Sequence, residues 1–422
     1  MGKILLKNII LNGSPSDIVV CDGLISTISK AGESALVEAS GVEIMDCTGK
    51  VAFPGFINMH THSAMTMMRG VQEDAALHEW LTKIWGMEAK ITPEYVYWAS
   101  KVAALEMIKT GTTTFFDQYW FSPTTRKAAM EMGINPCITY IVLDKNDENA
   151  AAFQKDECEQ YYELSKSWKE DSAFGISIHA IYSVSEPMIL WATEFARKHR
   201  LLLHIHVSET SKEVEDCKAA HGGLTPVEYL DRLGVLGPDV IAAHSLWLSD
   251  SDVKLLGERR VNCVHNVNSN LKLASGYMFK YQELRDAGVN ICIGTDGCAS
   301  SNNLDILEAM KTAALLQKGW RNNPQAWPLE ELAAAATING AKALRLNTGA
   351  IEVGKRADIL IVDTDNTFFL SPGSFLANFV YSAHSDCIDS VICGGKFVMK
   401  HRVVPGEKKV LEGARKLINA LN

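Results

Sequence analysis

Val51-Ala52-Phe53-Pro54-Gly55-Phe56-Ile57-Asn58-Met59-His60-Thr61-His62 is an apolar run that stops at two histidines spaced one residue apart. Side chains alternate across a β-strand, so positions i and i+2 share a face. Read as a strand over Val51–Met59, the segment ends by aiming His60 and His62 the same way. Neutral imidazole is a strong ligand for zinc-like ions. One His-x-His carries little by itself, because a stray histidine is usually a satisfied core or surface group. The rest of the chain decides its meaning.

Downstream, strand and helix patterns alternate. Helical patterns cover 75–90 and Pro93–Lys109, the second with Thr92 as cap, Pro93 in the first turn and Gly111 just past the end. Strands follow at Thr112–Asp117, Ile138–Leu143, Phe174–His179, Leu201–Val207, Val240–Ala243, Val261–Val267 and Val289–Gly294, each succeeded by a helical pattern. Among those helices are Glu186–Lys198, 150–169 and Leu304–Lys318. Eight strand–helix steps in about 270 residues is the size of a closed (β/α)8 TIM barrel. An open doubly wound sheet also alternates, but no G-x-G-x-x-G follows the first strand.

The two ends read differently. Ile4–Leu11, Asp17–Cys21 and Val42–Cys47 are short β-branched runs between turn residues, and Asp358–Val362, Ile388–Cys393 and Lys396–Met399 resemble them, the last two joined at Gly394-Gly395. The expected organisation is α/β: a first part of a small discontinuous β-sandwich (1–55), a metal-dependent barrel (56–350) and a second part of the sandwich (351–422). The net charge of −9 is spread along the chain without a basic stripe, which argues against a nucleic-acid partner. No apolar run reaches the roughly 18 residues of a membrane span. The ten cysteines include no C-x-x-C pair and read as small buried hydrophobes in a reducing compartment, so the expected location is cytoplasmic.

Polar residues at the C-terminal ends of barrel strands converge on one mouth and read as catalytic. Besides His60 and His62, His206 lies at the end of the fifth strand and is followed by Glu209; His244 ends the sixth and Asp296 the eighth. Four strands therefore end in a metal-competent or proton-transferring group. His204 shares a face with His206 but lies deeper and reads as buried structure, whereas His179 and His265 point near the site and are candidates to touch a substrate.

Pro54–His62 resembles the entry motif of the amidohydrolase superfamily, and the resemblance covers essentially the whole chain. Finer segments are similar to the 5-methylthioadenosine/S-adenosylhomocysteine deaminases and to chlorohydrolase-like aminohydrolases: Met68-Arg69-Gly70, Val264-His265-Asn266, Ser269–Gly276, and Gly294-Thr295-Asp296-Gly297 leading to Ser301-Asn302-Asn303. The resemblance implies a single divalent ion, zinc before iron or manganese, held by His60, His62, His206 and Asp296. The fourth strand, Phe174–Ala180, contains no lysine to bridge a second ion.

It also implies hydrolytic deamination of an adenine nucleoside such as 5-methylthioadenosine or S-adenosylhomocysteine. Asp296 would take a proton from water, His244 would steady that water, and Glu209 would pass a proton to a ring nitrogen. Trp80, Glu88 and His179 would contact the substrate. The other readings are a helix N-terminal carboxylate for Glu209 and ordinary amphipathic-helix positions for Trp80 and Glu88. Two departures bear on the substrate: Thr139–Lys145 has no arginine, and the spacing from Trp80 to Glu88 is one residue short. Another aminated heterocycle (guanine, pterin or triazine type), a cyclic amide or a carbon–halogen bond is the alternative target; a barrel used only for assembly is the non-enzymatic one. The expected partners are a small-molecule substrate and copies of the same chain, as a dimer or tetramer.

Overall fold

In a computed structural model, described over residues 2–34, 41–75, 77–168 and 173–421, sixteen strands divide between two sheets. The helical pattern read to residue 169 runs past the described segment, and the side chain of His78 also lies outside the described residues.

One sheet joins the chain ends. It contains β1 (Lys3–Leu11), β2 (Ser14–Cys21), β3 (Leu24–Lys30), β4 (Val42–Asp46), β5 (Lys50–Pro54), β14 (Ile359–Asp363), β15 (Ile388–Cys393) and β16 (Lys396–Met399). The ends meet where β14 pairs antiparallel with β5, Leu360 opposite Phe53. Ile4, Leu6, Ile18, Val20, Ile359 and Ile361 share its core.

The other sheet is the barrel: β6 (Phe56–Thr61), β7 (Thr112–Gln118), β8 (Asn135–Val142), β9 (Phe174–Ala180), β10 (Leu202–Val207), β11 (Val240–His244), β12 (Asn262–His265) and β13 (Asn290–Ile293). Every neighbouring pair from β6 to β13 is parallel. β6 to β12 are buried along their whole length, as expected when helices cover one face of a parallel sheet and side chains fill the other. At the β13–β6 seam a side chain supplies bonds: Asn58 Nδ2 donates to Thr295 Oγ1 (2.7 Å) and Thr295 N to Asn58 Oδ1 (3.0 Å). A Cβ on Gly294 would stand 2.9 Å from the His60 backbone nitrogen, so the close approach there requires glycine.

One expectation fails at the first strand. Val51–Met59 is two strands, not one: β5 belongs to the end sheet and β6 to the barrel. The chain crosses at Gly55, whose amide donates to Asp358 O (3.0 Å) and whose missing side chain leaves room for Thr113; a Cβ there would lie 2.3 Å from Thr113 Oγ1. The C-terminal helix Glu407–Leu421, absent from the sequence reading, lies against Pro93–Lys109, with Lys109 Nζ 2.5 Å from Glu407. All ten cysteines are unpaired and all but Cys21 are buried. Among the described residues no helix is long and apolar enough to cross a membrane.

Candidate active site

The strand ends deliver their side chains into one cavity, lined by His62, His179, His206, Glu209, His244 and Asp296 and, from helix Leu77–Glu88, by Leu77, Trp80, Leu81, Ile84, Trp85 and Glu88. His60 lies at its floor, fully buried. The helix contributes one stripe, because positions three and four apart lie on the same face. Trp80 is fixed by its indole N–H on Ala299 O (3.1 Å), and burial raises the Glu88 carboxyl. Where arginine was looked for after β8, the cation is Lys145, its Nζ 4.3 Å from the centre of the Trp85 ring.

The donor atoms fall in two groups that share His60: one with His62 and Asp296, the other with His206 and His244. His206 Nε2 lies 3.3 Å from His60 Nε2, and Asp296 Oδ1 lies 3.3 Å from His60 Nε2 and 3.2 Å from His62 Nε2. Donors around a tetrahedral ion with bonds of about 2.0–2.1 Å stand about 3.3–3.4 Å apart. Two imidazole nitrogens so close cannot both carry protons. Two rings are held by their other nitrogens: His62 Nδ1 donates to Gln118 O and His206 Nδ1 to His179 O, both at 2.7 Å, so that Nε2 of each faces inward, while His60 Nδ1 is buried without a partner. His60 stacks on His204 at 4.8 Å.

The electrostatics agree with a cation. Burial works against the charge on Asp296, yet His60 and His62 hold its carboxyl well below the usual range. Burial also opposes charge on His62, but the Asp296 contact outweighs it and lifts the imidazole to about 9. His60 is pushed down to about 4 and His206 well down, in both cases chiefly by burial. A buried carboxylate against His60 and His62, with His206 against His60, is a donor set that fits a divalent ion.

Beside these four residues, His244 Nδ1 donates to Asn270 Oδ1 (2.8 Å), and its Nε2 lies 3.8 Å from Glu209 Oε2. Burial raises the Glu209 carboxyl, which accepts from Ser275 Oγ at 3.2 Å. The backbone is strained at this rim: Ser208, His244, Ser245 and Asp296 have φ of 51°, 69°, 50° and 65°. Left-handed conformations at residues bearing a Cβ cost of order 1 kcal/mol each and gather at functional sites.

The structure separates the sequence candidates. His60, His62, His206, Glu209, His244 and Asp296 come together, and Trp80, Glu88 and His179 line the same cavity. His204 is buried against Ser177 Oγ (3.0 Å) beneath the site. His265 is corrected: it does not line the cavity but stacks on Phe279 at 4.3 Å and on Trp327 at 5.9 Å, an aromatic layer that turns its ring away. Several supporting residues received no role from the sequence. Ser269 Oγ donates to Asp296 Oδ2 (2.6 Å), Asn270 holds His244, and Asp117 accepts from Thr61 Oγ1, Ser63 N and Ser63 Oγ at 2.7–3.0 Å, clamping the turn after His62. The Ser269–Gly276 segment was the one available signal for the first two.

Comparison with known proteins agrees with this architecture. A 5'-deoxyadenosine deaminase of Methanoregula boonei is 41% identical over 98% of this chain and 93% of its own. A 5-methylthioadenosine/S-adenosylhomocysteine deaminase of Archaeoglobus fulgidus is 41% identical over 90% of each chain. The crystal structure of an adenosine deaminase from Xanthomonas campestris with bound zinc superposes with a TM-score of 0.92 at 29% identity, covering 99% of this chain and 98% of the other. Residues 51–398, from the strand before the crossing at Gly55 to the last strand of the end sheet, match the amidohydrolase family, and the chain belongs to that family.

Proposed function

We propose that this enzyme hydrolytically deaminates an adenine nucleoside, with His60, His62, His206 and Asp296 as the ligands of one divalent ion, zinc before iron or manganese. The observation that carries this reading is one cavity in which the metal-competent cluster adjoins a buried Glu209, its carboxyl raised by burial, with His244 Nε2 3.8 Å from it. Relatives at about 40% identity named as deaminases of 5'-deoxyadenosine and 5-methylthioadenosine support the substrate class. A divalent cation bound at these ligands would lower the pKa of a water molecule to about 7, making hydroxide available.

The chain's own groups do the rest. His244, its Nδ1–H held by Asn270, presents the Nε2 lone pair to orient a water molecule. Asp296 accepts the proton that water gives up, while the Ser269 hydroxyl fixes its other oxygen. Glu209 gives its proton to the ring nitrogen beside the amino-bearing carbon as the new C–O bond forms. The amino nitrogen then takes the proton held by Asp296, the C–N bond breaks and ammonia leaves, and the hydroxyl proton passes to Glu209 as the carbonyl forms. His179 and Glu88 offer polar contacts to the nucleoside. Leu77, Leu81, Ile84 and Trp85, with Ile141 and Leu143, give an apolar wall suited to an uncharged 5′ group such as deoxy or methylthio.

Ammonia release from metal-analysed protein tests this. Turnover is expected with 5'-deoxyadenosine and 5-methylthioadenosine ahead of S-adenosylhomocysteine. A metal-loaded enzyme silent toward purines, pterins and pyrimidines would overturn the reading, as would ring opening or halide release without ammonia.

A further inference from the structure

Two buried carboxyl groups stand at the mouth of β10, and the chemistry above uses only one. Glu209 faces the cavity; Glu213, inside helix Ser211–Ala220, does not line it. Glu213 Oε1 accepts from the amide of Ser208 and Oε2 from the amide of Glu209, each at 2.8 Å. Ser208 has φ of 51°, a conformation its surroundings must impose. Its carbonyl is taken from the other side by the amides of Leu246 (3.1 Å) and Trp247 (2.9 Å). The peptide that leads into Glu209 is therefore gripped on both sides.

An ordinary helix cap would not do this. Thr210 is the N-cap, its Oγ1 accepting from Glu213 N at 3.1 Å. In a capping box the glutamate at the third helical position bonds back to the N-cap amide. Glu213 reaches past Thr210 to the two residues before it.

We propose that Glu213 is a positioning residue for Glu209: its carboxylate, clamped across the Ser208 and Glu209 amides, sets where the Glu209 carboxyl points, and its buried negative charge keeps a proton on that carboxyl. The inference rests on Glu209 as the proton carrier. Burial raises both groups. The groups facing the pair are His244, Asp296, His62, Tyr182 and Cys217. Both oxygens of Glu213 already accept amide hydrogens, which suits the anion, so the proton the pair retains belongs on Glu209.

Two variants separate position from charge. E213Q keeps the reach but sets an amide N–H against a backbone N–H and removes the charge; E213D keeps the charge but is too short to span both amides. Each is expected to lower kcat on the order of 100-fold with KM little changed. In E213Q alone the alkaline limb of the kcat profile should move to lower pH, because the neighbouring negative charge that held the proton is gone. Infrared titration of protonated carboxyl groups without substrate gives a readout independent of turnover. The band of wild type should vanish in E209Q and disappear at lower pH in E213Q. Wild-type kcat in both Glu213 variants would overturn the proposal, and so would lost kcat with an unmoved pH limb and carboxyl band in E213Q, the signature of a purely structural cap. If E209Q itself turned over normally, the role of Glu209 would fail, and the infrared comparison would still report whether Glu213 governs its proton. An E213Q protein too unstable to assay leaves E213D, whose undiminished kcat would overturn the positional part.

Discussion

Thr210-Ser211-Lys212-Glu213 and Thr225-Pro226-Val227-Glu228 open neighbouring helices with the same pattern, and the structure uses them differently. At the second, Thr225 Oγ1 accepts from Glu228 N (3.1 Å) and Glu228 Oε2 accepts from Thr225 N (3.0 Å), a complete capping box. At the first, the threonine caps in the same way, but the glutamate leaves the helix end to hold the residues before it. A four-residue motif specifies which bonds are within reach. The neighbourhood decides which are made, and beside β10 the unsatisfied amides are those of the loop that carries Glu209. Asp117 repeats the lesson on the other side of the cavity, where a buried carboxylate holds the turn after His62.

The comparison can be broken most severely at the residue the clamp serves. Glu209→Gln should cost roughly 10²–10⁴-fold in ammonia release while metal content is retained; if the metal were lost as well, Glu209 would be a ligand and its loop would be braced for binding rather than proton transfer. Asp117→Asn comes next. It weakens three hydrogen bonds around the turn after His62, and about 1–3 kcal/mol of stability should go. Metal analysis should show lower occupancy, and unchanged occupancy would mean that the turn needs no clamp.

Third is the pH dependence of stability. Burial raises both carboxyl groups of the Glu209–Glu213 pair. The sign follows: the stability carried by the proton the pair retains is fully present below the ordinary 4.5 and is lost as pH rises through the pair's raised titration range. Glu213→Gln should flatten the Tm–pH curve in that window, and a slope unchanged from wild type would assign the titration elsewhere. The smallest effect belongs to the ordinary cap. Glu228→Ala should cost about 0.5–1 kcal/mol in thermal unfolding and leave kcat unchanged; a large loss of turnover there would erase the distinction between the two helix starts.

Much of the site was legible because barrel geometry turns sequence position into spatial position. A histidine or aspartate at the C-terminal end of a parallel strand arrives at the mouth, so His60, His62, His206, His244 and Asp296 could be grouped before any coordinates. Helix Glu186–Lys198 and strand Ile388–Cys393 have the boundaries that periodicity and turn residues gave them. His265 shows the limit. It ends β12 with the same signature as the others, but its ring follows Phe279 and Trp327, which come from distant segments. The reading of Val51–Met59 as one strand ran across the boundary set between residues 55 and 56, and the approach of Thr113 to Gly55 marks where the chain passes from one sheet to the other.

The sequence alone determined the alternating barrel, the strand-end residues and the chemistry those residue types permit, since all three rest on periods of two and 3.6 residues and on side-chain identity. Only the tertiary structure decided the 3.2–3.3 Å approaches of His60 to His206 and of Asp296 to His60 and His62, the side chain that bonds the β13–β6 seam, and the diversion of Glu213 from capping to clamping. Those are contacts between atoms far apart in the chain or between equally available partners, and the packing of the whole barrel selects among them.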